Sequence, residues 1–172
     1  IFKNYKDTNL KWALGGRNEL KIKRLISSLE LNSIPYLIAD CNNKNSLLEM
    51  TKMTRTICST VGPYAKYGTL LVEACIESKT NYCDITGETH WIREIIDKYH
   101  AKAIKNNVKI VHACGFDSIP SDIGVFYAQN KMKENTGKYA SKISMRVISM
   151  KGGVSGGTIY SFLNIIEQSR KN

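Results

Sequence analysis

Polar residues and glycines that could bind a ligand follow each of five short apolar runs in the sequence. The five turns read Gly15-Gly16-Arg17, Asp40-Cys41, Val61-Gly62-Pro63-Tyr64, Asp84-Ile85-Thr86-Gly87-Glu88 and Cys114-Gly115-Phe116-Asp117. Glycine lets a phosphate or a flat ring approach the backbone closely, and arginine pairs with phosphate oxygens through its planar fork. Ligands of open parallel sheets bind beyond the carboxyl ends of the strands. The turns therefore predict a ligand site along one edge of a sheet.

Arg17 follows a glycine pair at the point where a nucleotide-binding fold would hold the ribose of its ligand. An acidic residue at the end of the second strand of such a fold binds the ribose 2′-hydroxyl, whereas an arginine suits the 2′-phosphate of NADP. The alternative is a solvated arginine at the start of a helix, although the helix dipole disfavours positive charge there. We therefore predict NADP as the cofactor, with NAD as the second choice.

The other turns also have purely structural explanations. Gly62-Pro63 suits any sharp turn from a strand into a helix. Glu88 precedes a helix, and an acid in the first turn of a helix is favourable without any function. Asp117-Ser118 could cap the next helix, with Pro120 in its first turn. We nevertheless expect Asp117 to face the ligand cleft, because it stands at one of the five strand ends.

The histidines and cysteines form no recognisable metal or nucleophile motif. The histidines lack metal-ligand spacing, so no metal site is predicted. The odd number of cysteines, without CxxC spacing, argues against a disulfide framework or a zinc knuckle and for a reducing compartment. Cys114 is a thiol at the expected sheet edge, but no base is apparent beside it. The residues concerned are His90, His100, His112, Cys41, Cys58, Cys75, Cys83 and Cys114.

The segment Gly153-Val154-Ser155-Gly156-Gly157 is a literal G-x-S-x-G between a predicted strand and a predicted helix. A serine hydrolase places its nucleophile in such an elbow, followed later in the chain by an acid and a histidine. The residues after Gly157 contain neither aspartate nor histidine. A serine hydrolase is therefore a remote alternative.

Strand and helix patterns alternate along most of the chain. Strands are predicted over Lys11–Leu14, Tyr36–Asp40, Thr56–Thr60, Asn81–Ile85 and Val108–Ala113. Helices are predicted at about Glu19–Leu31, Ser46–Met53, Lys66–Ser78, Trp91–Ala103 and Pro120–Lys133. Apolar strands that alternate with helices specify an α/β fold, a Rossmann-like doubly wound parallel sheet with helices on both faces.

The pattern changes after Gly137. The stretch "KISMRVISM", Lys142–Met150, alternates with a period of two, which predicts a longer strand of a second, antiparallel-type sheet. A helix is expected to follow from Thr158. We place a domain boundary near Asn135–Tyr139, so that residues 1–136 and 137–172 belong to different domains.

The composition is typical of a folded globular protein, with 42% hydrophobic and 23% charged residues. The net charge is +10, but the lysines are spread along the helical segments without an arginine-rich block. This distribution favours a solvated surface and argues against a nucleic-acid partner. No apolar run is long enough for a transmembrane helix, and no signal-peptide pattern opens the chain.

Three longer stretches carry a resemblance to a known family: "STVGPYAKYGTLLVEACIESKTNYCDITGE", "KYHAKAIKNNVKIVHACGFDSIPSDIGV" and "GGVSGGT". They closely resemble the saccharopine dehydrogenase-like oxidoreductases, including the trans-acting enoyl reductases. The resemblance runs from Trp12 to Ile159, and its blocks are far more specific than a lone glycine pattern.

The resemblance implies a Rossmann NAD(P)-binding domain, here a truncated one over residues 1–136, and the start of an α+β domain over residues 137–172. It implies that the adenosine-phosphate end of the cofactor lies at Gly16-Arg17, the adenine at Asp40-Cys41 and the nicotinamide near Cys114-Gly115. The middle of the cofactor would lie at Val61-Gly62-Pro63. Tyr64, Glu88, Phe116 and Asp117 are further candidates for the cleft, and no catalytic residue is implied.

The family's first strand and its G-x-x-G-x-x-G loop are expected before Ile1, so this chain should bind the cofactor weakly or not at all. The resemblance further implies an NAD(P)-dependent oxidoreductase linked to lipid metabolism, with a small-molecule or lipid-derived substrate and a homodimeric state. Its expected location is intracellular, in the cytoplasm, at lipid droplets with peripheral membrane contact, or in mitochondria. The alternative is a catalytically degenerate member that acts as a lipid-associated or scaffolding protein.

Overall fold

The computed structural model describes residues 8–31, 34–149 and 151–153, together with residues 156, 159, 160, 163 and 166. Its strands are β1 (Leu14–Gly16), β2 (Tyr36–Ile38), β3 (Thr56–Ser59), β4 (Asn81–Asp84) and β5 (Ile110–Val111). Its helices are α1 (Glu19–Ser28), α2 (Lys44–Lys52), α3 (Tyr64–Tyr67), α4 (Thr69–Glu77), α5 (Thr89–Lys105) and α6 (Ile119–Thr136). All strand pairs are parallel, and the predicted α/β class is confirmed.

The strands form two hydrogen-bonded sheets where the sequence predicted one. In the first, β1 pairs with β2, and Gly15 lies opposite Leu37. In the second, the order is β3-β4-β5. Cys83 of the central strand lies between Cys58 on one side and Val111 on the other. The carboxyl ends of the strands within each sheet therefore lie side by side, as a ligand site at that edge requires.

Strand β1 begins at Leu14, where the predicted strand Lys11–Leu14 ends. The prediction was wrong because it followed apolar side chains, whereas the strand is defined by backbone pairing of two glycines with β2. A Cβ atom at Gly15 would lie 2.7 Å from the sulfur of Met50. The bare glycine backbone thus lets helix α2 pack closely on this strand.

The helix ends depart from the predicted ones for local reasons. Helix α1 stops at Ser28 because Glu30 adopts a left-handed conformation with φ of 54°. Helix α2 starts at Lys44 because the Asn43 side chain caps it, accepting a hydrogen bond from the Ser46 amide at 3.2 Å. The single helix predicted over Lys66–Ser78 is two helices, α3 and α4, which meet at Gly68.

The core lies between helices α4 and α5 and the face of β4 that carries Tyr82. Tyr82 is 1% exposed, and Trp91 at the start of α5 is completely buried. The predicted buried face of α4 is confirmed. Its members are Leu71, Ala74 and Cys75.

The opposite face of the three-stranded sheet is open among the described residues. Cys58 is exposed there, Cys83 is half-buried, and Val111 is 51% exposed. Helix α6 buries none of its residues, and Phe126 on it is 65% exposed. The expectation of helices on both faces is therefore met for one face of this sheet in the described part of the chain.

Residues 142–149 form no strand, although their alternation predicted one. A strand needs a hydrogen-bonded partner, and none of the described residues supplies one here. Met150, Thr158 and residues 154, 155 and 157 of the G-x-S-x-G segment lie outside the described residues. The domain boundary stays a prediction, and helix α6 ends beside it, where Gly137 adopts φ of 74°. None of the described helices is long and apolar enough to cross a membrane.

Candidate functional site

Asp84 joins the carboxyl ends of β4 and β5. Its side chain is fully buried, and Oδ1 accepts hydrogen bonds from the Thr86 and Ala113 amides, both at 3.1 Å. Oδ2 lies 2.7 Å from Nδ1 of His112. The Asp84 carbonyl also accepts a 2.7 Å hydrogen bond from the Cys114 amide. One carboxylate thus fixes the turns after two neighbouring strands.

His112 is held against the core by Asp84 and by two aromatic rings. Its ring centre lies 5.1 Å from that of Trp91 and 5.9 Å from that of Tyr82, in edge-on contacts. The side chain is 8% exposed, and its Nε2 has no hydrogen-bond partner among the described residues. It also lines a cavity of about 230 Å³ beside α5 and β5. Because an ionised carboxylate only accepts hydrogen bonds, Nδ1 is the donor and Oδ2 of Asp84 the acceptor in this contact.

Sequence reasoning missed this pair, because the histidines were judged only by their spacing along the chain. Asp84 ends β4, and His112 directly follows β5. Adjacent parallel strands bring their carboxyl ends together, so the position of each residue at its strand end was the available signal.

Glu88 caps a neighbouring helix. Its carboxylate is buried, with 1% of the residue exposed. Oε1 accepts a hydrogen bond from the Tyr64 amide at 2.8 Å, and Oε2 accepts one from the Ala65 amide at 3.0 Å. Glu88 also stands at the N-cap position of its own helix α5, but makes no side-chain capping bond there. The structure thus gives Glu88 a helix-capping role, directed at α3 rather than α5.

Tyr64 is buried beside Glu88. Its hydroxyl donates a 3.1 Å hydrogen bond to the Ser59 carbonyl, and burial raises the pKa of the phenol to about 12. The ring packs against Trp91, with 5.6 Å between ring centres. Tyr64 therefore anchors the turn after β3, while Val61 in the same turn is 45% exposed.

Arg17 and the Asp40–Cys41 turn lie close together at the carboxyl ends of β1 and β2. Arg17 is exposed, and no described residue forms an ion pair with it. Burial and the Asp40 charge raise the pKa of the Cys41 thiol, and the Arg17 charge works in the opposite direction. Asp40 accepts a 2.9 Å hydrogen bond from the Asn42 amide, which closes the turn. This corner presents a free guanidinium to solvent.

The turn after β5 places its polar side chains outward. The carbonyl oxygen of Gly115 accepts hydrogen bonds from the Ser118 and Ile119 amides at 3.2 and 3.0 Å. Phe116 is 85% exposed, and Asp117 is exposed as well. Ser118 holds the N-cap position of α6 and makes no side-chain capping bond. A Cβ atom at Gly115 would lie 2.9 Å from Oδ1 of Asp117, the end of an exposed side chain that is able to move aside.

The structure therefore sorts the residues predicted for the site into two groups. One group is buried or tied into the fold, namely Pro63, Tyr64 and Glu88. The other is exposed or half-buried at the strand ends. Its members are Gly16, Arg17, Asp40, Cys41, Val61, Gly62, Cys114, Gly115, Phe116 and Asp117. Within the described part of the chain, no three His, Cys, Asp or Glu side chains are placed to hold a metal ion.

The chain is similar to known proteins that are named as reductases or oxidoreductases. It is 37% identical over 161 residues to the trans-acting enoyl reductase of Mycobacterium ulcerans, covering 91% of this chain and 38% of that protein. It is 33% identical over 169 residues to the human saccharopine dehydrogenase-like oxidoreductase, covering 91% of this chain and 39% of that protein. The chain belongs to the saccharopine dehydrogenase-like oxidoreductase family. It spans about two fifths of the length of these relatives.

A solved structure of the same kind shares the fold. Apo saccharopine dehydrogenase (L-Glu forming) from Saccharomyces cerevisiae superposes with a TM-score of 0.59 at 15% identity. The match covers 77% of this chain and 27% of that one. No family model matches the chain. At that identity the structural likeness supports the α/β fold, while the sequence relatives carry the family membership.

Proposed function

We propose that this chain forms the NADP-binding part of an oxidoreductase that acts on a small-molecule substrate. The observation that carries the proposal is the exposed Arg17 at the end of β1, which lies beside the Asp40–Cys41 turn and forms no ion pair with the described residues. A planar guanidinium with free donors fits a phosphate monoester better than a ribose hydroxyl. When bound, the cofactor would supply hydride transfer, while the chain binds and orients it.

The strand pairing supports the ribose-binding position of Arg17. Dinucleotide-binding sheets commonly have the strand order 3-2-1-4-5-6. The two-stranded sheet β2-β1 corresponds to strands 3 and 2 of that order. The three-stranded sheet β3-β4-β5 corresponds to strands 4, 5 and 6. No strand among the described residues occupies the place between β1 and β3. In this alignment β1 is the second strand, whose carboxyl end faces the adenosine ribose.

The remaining strand ends would contact the rest of the cofactor. Gly16 and Asp40-Cys41 would hold the adenosine end, and the exposed Val61 with Gly62-Pro63 would lie along the middle. Cys114 and Gly115 would lie near the nicotinamide, with Phe116 and Asp117 facing the cleft. The buried Asp84–His112 pair would fix the turn that carries them. Oxidoreductases among the relatives support the activity, and a lipid-derived substrate belongs to the same proposal.

Titration with NADPH and with NADH of the chain, alone and joined to an upstream G-x-x-G-x-x-G loop, tests the proposal. A charge-assisted hydrogen-bonded pair contributes roughly 1.5–3 kcal/mol, so Arg17→Ala should weaken NADPH binding about ten- to a hundredfold. NADH binding should stay unchanged, because NADH carries no 2′-phosphate. Arg24→Ala, at an exposed position on α1, is the matched control and should alter neither affinity.

Two results would contradict the proposal. Equal weakening of both nucleotides, or of neither, would show that Arg17 does not read the 2′-phosphate. Failure of the chain to bind either nucleotide at millimolar concentration, both alone and joined to the upstream glycine loop, would overturn the cofactor assignment. Isothermal titration calorimetry measures both affinities directly.

A further inference from the structure

The open face of the three-stranded sheet carries a row of thiols. Cys58 of β3 and Cys83 of β4 lie directly opposite each other in the parallel register. Residues in register on adjacent strands point to the same face, so both thiols are on the side away from Tyr82. Cys58 is exposed, and Cys83 is half-buried. Cys114 stands nearby, after the end of β5.

The side chains of these three residues lie close enough to influence one another. Burial, and then the neighbouring thiols of Cys58 and Cys114, raise the pKa of the Cys83 thiol to about 12. The thiol of Cys114 points at the backbone, with Sγ 3.5 Å from the Val111 carbonyl oxygen. Cys58 and Cys83 are therefore the pair whose sulfur atoms face each other across the strands.

The backbone separation of the pair suits a covalent bond. Neighbouring strands lie about 4.8 Å apart in the hydrogen-bonding direction. Disulfides join residues whose Cα atoms are roughly 4.4–6.8 Å apart. The Cα separation of Cys58 and Cys83 thus falls within the disulfide range, while their Cβ atoms must approach from about 4.8 Å to roughly 3.5–4.5 Å for the bond to form.

We propose that Cys58 and Cys83 form an oxidisable thiol pair, which a low-molecular-weight disulfide such as oxidised glutathione converts into an intramolecular disulfide. The exposed thiolate of Cys58 attacks one sulfur of oxidised glutathione, forms a mixed disulfide and releases one reduced glutathione. Cys83 then loses its proton and attacks the Cys58 sulfur, which releases the second reduced glutathione. Two protein thiols are oxidised, and one glutathione disulfide is reduced to two thiols.

The other cysteines are poorer reactants. Cys75 is fully buried in α4, where oxidised glutathione cannot reach its thiol. Cys41 follows β2 in the other sheet, where the paired strand β1 consists of Leu14, Gly15 and Gly16 and carries no thiol. The reaction should therefore be selective for the pair on the open face.

Peptide mapping after oxidation under native conditions tests the proposal. The folded chain is incubated with oxidised glutathione, free thiols are alkylated, and trypsin then releases each cysteine in a separate peptide. Cys58 lies in the peptide 56–66 and Cys83 in the peptide 80–93, while Cys114 lies in the peptide 110–131. We expect the peptide 56–66 to be linked to the peptide 80–93 by a disulfide between Cys58 and Cys83.

Single substitutions separate the two steps. Cys58→Ser should abolish the link and leave Cys83 reduced, whereas Cys83→Ser should leave glutathione attached to Cys58. Cys41→Ser is the matched control and should form the link as the unsubstituted chain does. Circular dichroism spectra establish that all three variants are folded.

A link between the peptides of Cys83 and Cys114 would overturn the assignment of the pair. A reaction of the unsubstituted chain that stops at the mixed disulfide on Cys58 would overturn it as well, as would the absence of any reaction. The proposal is independent of cofactor binding, since none of these measurements requires NADP.

Discussion

Removal of the Glu88 carboxylate should destabilise the fold although Glu88 lies in a turn. Helix α3 begins after Pro63, which has no side-chain group to cap the first amides. Glu88 supplies the missing acceptors from the turn between β4 and α5, with one oxygen for the Tyr64 amide and one for the Ala65 amide. The residue is 1% exposed, so water cannot replace the carboxylate without local opening.

The expected magnitude follows from the number of amides left unpaired. A buried donor that loses its acceptor costs about 1–3 kcal/mol. Glu88→Ala leaves the buried Tyr64 amide and the partly buried Ala65 amide without acceptors, and should lower the free energy of unfolding by at least roughly 1–3 kcal/mol and by up to about 6 kcal/mol. Glu88→Gln keeps one carbonyl acceptor and should lower it by about 1–3 kcal/mol. In a chain of this size the larger loss corresponds to a fall in Tm on the order of 10 °C.

Urea unfolding followed by tryptophan fluorescence suits the measurement, because Trp91, one of the two tryptophans, packs on the Tyr64 ring. Glu94→Ala, at an exposed position on α5, is the matched control and should stay within about 0.5 kcal/mol of the unsubstituted chain. If Glu88→Ala unfolds at the same urea concentration as Glu94→Ala, the capping interpretation is wrong. If Glu88→Gln lowers the free energy of unfolding as much as Glu88→Ala does, the remaining carbonyl acceptor does not stabilise the helix. The magnitude derived from the number of unpaired amides is then wrong.

Two further predictions concern packing and pH. Gly68→Ala should lower the free energy of unfolding by about 1–3 kcal/mol, because its Cβ atom would lie 2.6 Å from Cζ2 of Trp91 and 2.8 Å from the Tyr64 carbonyl oxygen. Gly15→Ala should cost less in the same urea assay, because only the flexible sulfur end of Met50 must move. The buried Cys75 thiol has its pKa raised from 9.0 to about 12 by burial, so its proton is lost from the unfolded chain first. The contribution of the protonated thiol to the free energy of unfolding is therefore present below pH 9 and is lost as the pH rises to 12. Cys75→Ala removes this contribution, so the free energy of unfolding of the variant should fall less across that pH range.

The periodicity of the sequence was sufficient to predict the elements that pack on the core. The spacing of Leu71, Ala74 and Cys75 predicts the buried face of α4, and that face is buried. The placement of β1 could not be predicted in this way, because Gly15 and Gly16 pair through their backbone and carry no side-chain pattern. The position of a strand that consists largely of glycines is set by its hydrogen-bonded partner strand, and a local window of sequence does not contain that partner.

The sequence predicted which strand ends carry the residues of the candidate site. It did not predict what the individual side chains do there. The contact between Asp84 and His112 joins residues 28 positions apart, and that between Glu88 and Tyr64 joins residues 24 positions apart. Such pairings depend on which strands are neighbours in the sheet, and the local sequence pattern does not specify the strand order. Glu88 consequently resembled the cap of its own helix in the sequence, although it caps another one.

The structural division of the turns has a consequence for how the site can work. The carboxylates of Asp84 and Glu88 are both buried and accept hydrogen bonds from the protein's own amides, so neither is free to contact a ligand. Among the described residues predicted for the site, the charged side chains that are exposed are Arg17 at the end of β1 and Asp117 in the turn after β5. Substitution of a buried carboxylate should therefore reduce binding only through loss of the folded state. A change at Arg17 should alter nucleotide affinity while the free energy of unfolding stays the same.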